Sequence, residues 1–157
     1  MEIADVLSVL ALLGSGLIAG VFFAFSSFVM SALSRLPAAQ GLVAMQQINI
    51  TVINPHFLGV FLGTAALSLA AAGLAASRWG QPVAWHLAAG GALYFVGCFL
   101  VTILGNVPLN DALAKLESVD SESEEVWRHY VVHWTRWNHV RTAAAAAAAL
   151  AFSLGLT

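Results

Sequence analysis

The chain of 157 residues is 60% hydrophobic and 9% charged, against roughly 25% charged in an ordinary soluble domain. That deficit excludes a conventional water-soluble globular protein. A net charge of −2, from six basic and eight acidic residues, excludes the dense basic surface that a nucleic-acid partner requires.

The first element is an uncharged run of 28 residues, Val6 to Leu33, longer than the roughly 20 residues needed to cross a hydrocarbon core. Glu2 and Asp5 stand where a secretory signal would carry basic residues, so a spanning helix over 6–33 is expected instead of a cleaved leader. Gly16, Gly20 and Ala24 provide small-residue spacing for close helix contact.

A polar loop follows, Ser34 to Asn54. In it Leu42, Met45, Ile48 and Val52 recur at helical spacing, which predicts a short helix lying at the membrane interface. Asn54-Pro55 then reads as an N-cap followed by proline at the first helical position, opening a second span over 55–77. Pro82 opens a third over 82–104, with Gly90, Gly91 and Gly97 as contact residues and His86 one turn inside. Gly105 and Pro108 together predict its end, with a turn and a further short helix in the loop beyond.

The SESEE segment, Ser121 to Glu125, offers an N-cap and first-turn acids, so a fourth helix is expected from about residue 123. Its apolar part includes seven consecutive alanines, Ala143 to Ala149, and reaches spanning length only if it starts near Trp137. A fourth span over 137–157 therefore places Arg141 about one turn inside the interface, where its side chain can snorkel to the headgroups. The predicted fold is an all-α, integral membrane four-helix bundle forming one transmembrane domain over 1–157, with short interfacial helices in the two loops on one face.

Four spans put both termini and the Arg78–Pro82 turn on one face and both long loops on the other. The second face holds Arg35, Lys115, Arg128, Arg136 and Arg141 against Arg78 alone, which orients the long loops toward the cytoplasm. Between Val6 and Leu104 there is no Asp or Glu, which argues against a carboxylate-based proton relay or cation-coupled transporter. The lone Cys98 provides neither a disulfide nor a paired-thiol metal site.

The segments GLIAGVFFAFSSFVM, MQQIN, NPHF, GNVPLN and WTRWNHVR, taken together, resemble the anthrone oxygenase-like family of integral membrane proteins over nearly the whole chain. Some members of that family act in fungal aromatic polyketide pathways, oxidising an anthrone to an anthraquinone with O2. The resemblance implies that its recurrent positions here are Asn49, Asn54, Asn106, Pro108, Asn110, Trp134, Trp137, Asn138 and Arg141. It implies a bacterial inner-membrane protein acting on a lipophilic aromatic or quinone-like molecule, without a cofactor. The bilayer, a small lipophilic ligand and a second copy of the chain are the expected partners.

On the fourth helix Trp127, Tyr130, Trp134, Asn138 and Arg141 follow i, i+3, i+7, i+11, i+14 and form one stripe. Such a stripe either packs on the loop helices or walls a pocket. Cofactor-free oxygenation needs a base, a polar clamp for an enolate and an apolar pouch for O2. Neutral histidine is the obvious base type, so His133 and then His139 are the candidates, with Asn138, Asn106 and Arg141 as enolate stabilisers. Asn49, Asn54, Asn110, Trp134 and Trp137 complete the expected substrate-binding set. His129 and His133 are spaced i, i+4 and could share a metal or haem if a third ligand came from His56, His139 or Asp111. The further alternative is a non-catalytic membrane protein that binds a lipid or small hydrophobic ligand, or supports a partner complex.

Overall fold

The computed structural model describes residues 2–116 and 121–156, all of whose regular elements are helical. They form α1 (Ile3–Ser34), α2 (Ala38–Thr51), α3 (Pro55–Ser77), α4 (Pro82–Ala114) and α5 (Ser121–Leu154). Helices α1, α3 and α4 have the length and apolarity to cross a membrane. The second half of α5 carries Asn138 and Arg141 ahead of its alanines and is not one of these three.

The start of α3 follows directly from its sequence. Asn54 Oδ1 accepts from the backbone N–H groups of His56 and Phe57 at 3.1 and 3.0 Å, and Pro55 occupies a position whose N–H would have no helical partner. Asn54→Ala is expected to cost about 1 kcal/mol, lowering the melting temperature by roughly 2–4 °C. A thermal melt followed by circular dichroism checks this. At the other end, Gly80 takes a φ of 94° in the turn from α3 to α4, a conformation that favours glycine. The same end is tied by the Arg78–Glu2 ion pair at 2.8 Å, so the N-terminus and this turn share a face as expected.

The long helices meet in a ring: α1 on α5, α5 on α4, α4 on α3, and α3 on α1. Their shared core contains Ile18, Phe22, Phe61, Leu87, Tyr94 and Phe152. Close approach uses glycine on α4 as expected: Gly90 abuts the Phe152 ring, Gly91 the Ser68 backbone and Gly97 the Ala144 side chain. On α1 the expectation fails. Gly16 and Gly20 are exposed with no neighbour in reach, and Gly14 makes the close approach instead, toward Thr64.

Nor does α4 stop at Gly105. It continues to Ala114 through π-helical turns at Phe95–Leu100 and Thr102–Asn106, with Pro108 in the first turn of the α-helical stretch that follows. Proline removes one N–H, and a change from π to α bonding is a place where that loss can be absorbed. The expected separate loop helix is thus the end of α4 itself. A third π-helical turn, Phe25–Val29, widens α1 near its own polar end.

Helix α2 forms as expected and closes the polar end. Its Leu42 and Met45 bury against Met30, Leu113, Trp127, Tyr130 and Trp134. Gln46 Nε2 donates to the carbonyls of Leu113 and Leu116 at 2.9 and 3.1 Å, satisfying acceptors at the α4 terminus.

Candidate functional site

The stripe on α5 faces inward along its whole length: Trp127, Tyr130, Trp134, Asn138 and Arg141 are all buried. At its deep end Asn138, fully buried, donates from Nδ2 to the Phe22 carbonyl at 2.8 Å and to Ser26 Oγ at 2.7 Å. Its Oδ1 accepts from Arg141 Nε and Nη2 at 3.1 and 2.9 Å. Arg141 Nη1 reaches Thr102 Oγ1 at 3.3 Å. The guanidinium lies 3.9 Å from the Phe22 ring centroid and 4.8 Å from that of Trp134, both within cation–π range.

Arg141 is 4% exposed, and among the described residues all its hydrogen-bond partners are neutral. A buried cation without a counter-ion is costly to maintain and strongly favours any anion that reaches it.

One turn nearer the polar end, three elements share a second network. Tyr130 Oη donates to Asn110 Oδ1 at 2.8 Å, Trp134 Nε1 donates to the same oxygen at 2.9 Å, and Asn49 Nδ2 donates to Tyr130 Oη at 3.3 Å. Burial pushes the Tyr130 phenol above its ordinary range, outweighing the hydrogen bond from Asn49 that acts the other way. The phenol is therefore a neutral donor at any physiological pH.

Between these networks lies a cavity of about 260 Å³, just under the roughly 300 Å³ at which pockets for drug-sized ligands begin. All five helices line it. Phe22, Phe25, Phe57 and Phe61 provide flat apolar walls, and Asn49, Asn110, Thr102 and Arg141 provide the polar groups. It reaches Leu62, roughly 10 Å along α3 from Pro55 at 1.5 Å per residue.

Of the residues singled out in the sequence, Asn49, Asn110, Trp134 and Arg141 line the cavity, and Asn138 holds Arg141 from behind. Asn106 is fully buried and donates to the Trp134 carbonyl at 3.1 Å, bracing that residue while its own Oδ1 has no partner among the described residues. Asn54 is occupied in capping α3, and Trp137 packs over Gly105 with its ring half exposed. His133 and His139 do not line the cavity: His133 Nδ1 lies 2.9 Å from the His129 carbonyl, and His139 borders a separate groove between α1 and α5. The rings of His129 and His133 stack at 3.8 Å, and among the described residues no three His, Cys, Asp or Glu side chains converge on a metal-sized site.

Sequence reasoning missed Phe22, Ser26 and Thr102. Ser26 and Thr102 are hydroxyls within apolar runs, which ordinarily bond their own helix. Thr102 does so, donating to the Cys98 carbonyl at 2.8 Å. Only tertiary packing shows that both hydroxyls meet α5.

Compared with known proteins, the chain matches over residues 57–151 a family model described as anthrone oxygenase. No curated protein and no solved structure matches it.

Proposed function

The chain belongs to the anthrone oxygenase family, and from that premise we propose that it is a four-span inner-membrane oxygenase converting a lipophilic anthrone-like ketone to the quinone with O2. The fourth span in this reading is the second half of α5. The observation that supports the reading is Arg141, a buried cation whose partners among the described residues are all neutral, facing a cavity walled by phenylalanine.

Such a cation is complementary to the enolate formed when an anthrone loses its activated C–H proton. The C–H bonding pair stays on the ring system as the enolate, whose oxygen faces Arg141, and the proton leaves to a base. The enolate carbon forms a C–O bond to O2, which is reduced to a peroxide that takes back a proton. Loss of the second hydrogen on that carbon as a proton, with cleavage of the O–O bond, then expels hydroxide; proton and hydroxide leave as one water while the second carbonyl forms. Overall, one anthrone and one O2 give one anthraquinone and one water. Asn138 and Thr102 act as positioning residues by holding the guanidinium in one orientation.

Purified protein in lipid vesicles is expected to consume O2 with added anthrone at a one-to-one ratio, at a rate proportional to enzyme. His133→Ala and His139→Ala test the base: a positioned general base contributes on the order of 10²–10⁴-fold, so an unchanged rate removes that histidine from the mechanism. Among the described residues that line the cavity none is a carboxylate or a histidine, which favours a second reading, ligand binding without turnover. Saturable anthrone binding with no O2 uptake above the lipid background would select it.

A further inference from the structure

The network around Tyr130 fixes which way two cavity amides point. An indole N–H can only donate, so the Asn110 atom facing Trp134 Nε1 at 2.9 Å must be the oxygen. Tyr130 Oη lies 2.8 Å from that same oxygen, and its single proton is therefore directed there. The phenol oxygen is left as an acceptor, and the Asn49 atom 3.3 Å from it must be the amide nitrogen. One obligate donor thus orients three side chains from α5, α4 and α2.

What remains unpaired follows by subtraction. Asn110 has its Oδ1 doubly occupied, so it presents N–H donors; Asn49 has an N–H occupied on Tyr130, so it presents a carbonyl acceptor. Both residues line the cavity, and a single phenol oxygen links them.

We propose that Trp134 and Tyr130 are positioning residues that give the cavity a fixed polarity, donor at Asn110 and acceptor at Asn49. The cavity thereby selects aromatic ketones or quinones that also carry a free phenolic hydroxyl. The carbonyl takes the Asn110 N–H, and the hydroxyl donates to Asn49. Masking that hydroxyl removes the donor and sets an ether oxygen against the Asn49 carbonyl, two acceptors facing each other. The inference rests on the cavity being the ligand site, as in the function proposed above.

Inert quinones test it without turnover. Binding of anthraquinone, 2-hydroxyanthraquinone and 2-methoxyanthraquinone to the detergent-purified full chain is measured by equilibrium dialysis, in mildly acidic buffer where the phenol keeps its proton. The hydroxy compound is expected to bind about tenfold more tightly than the methoxy one, the effect of roughly one hydrogen bond. Asn49→Leu should bring that ratio to about one while anthraquinone itself still binds, which also shows that the variant is folded. Trp134→Phe keeps an aromatic ring but removes the indole donor that orients both amides; it should shrink the ratio, with a cooperative circular dichroism melt showing that the variant is folded.

Equal binding of the hydroxy and methoxy compounds to the wild type overturns the fixed polarity and leaves the proposed oxygenation standing. A wild-type ratio preserved in Trp134→Phe overturns the positioning role. Failure of all three quinones to bind overturns this inference and the cavity as ligand site together.

Discussion

Arg141→Met is expected to lower kcat on an anthrone by about 10²–10³-fold, the range seen when a preorganised oxyanion donor is removed, while the protein remains folded. The separation of the two effects is the informative part. A buried Arg with only neutral partners carries a desolvation cost that nothing nearby offsets, and an apolar replacement of similar length is often neutral or stabilising at such a position. Met fills the space between the Phe22 and Trp134 rings and leaves Asn138 Oδ1 and Thr102 Oγ1 without their Arg141 donors. Arg141→Lys should retain part of the rate, because it keeps the charge but cannot bond Asn138 twice and Thr102 once from a single planar fork. O2 uptake and circular dichroism melting on the same preparations give the answer. Full activity in Arg141→Met would sink the enolate role.

The largest effect on folding is expected at Gly91. A Cβ there would sit 2.6 Å from the Ser68 carbonyl oxygen and 3.4 Å from the Ala72 amide nitrogen, both backbone atoms of α3. Neither can swing aside as a side-chain tip could, so relief requires α3 and α4 to separate. Overpacking a tight core ordinarily costs about 1–3 kcal/mol, and Gly91→Leu adds three more carbons to a contact already closed to one. No monodisperse folded protein is expected from it by size-exclusion chromatography in detergent. Gly20→Ala is the matched control, since nothing lies within 4 Å of that position; its melting temperature should equal or exceed the wild type. A wild-type melt for Gly91→Leu would show that the α3–α4 contact is not as tight as described.

These contrasts mark where sequence is sufficient. Asn54-Pro55 could be read directly because capping is local chemistry, completed within four residues. The α5 stripe could be read because an undistorted helix keeps its period over 34 residues. The end of α4 could not: Gly105 and Pro108 form a sound stop signal in an α-helix, but the π-helical turn Thr102–Asn106 changes the bonding pattern just before it. Gly16 and Gly20 failed for another reason, since spacing alone does not say which face of a helix meets a neighbour. The polar half of the site was visible as Asn49, Asn110, Trp134, Asn138 and Arg141. Its apolar half was not, because Phe22, Phe25, Phe57 and Phe61 look like any other lipid-facing or core phenylalanine until five helices bring them together.

The bonds from Asn138 and Arg141 to α1 and α4 bear on the order in which the protein is built. Alone, a span that starts just before these two residues pays part of the roughly 2.5–3.5 kcal/mol that an Arg costs at mid-bilayer, with an unsatisfied amide beside it. The Phe22 carbonyl, Ser26 and Thr102 are the groups that receive them, and all three belong to segments synthesised earlier. On the four-span reading, α5 therefore enters the bilayer as a guest of helices already in place. Deleting α1 should leave it resting at the membrane surface, so the site forms last, and only in chains whose first three spans are already correctly assembled.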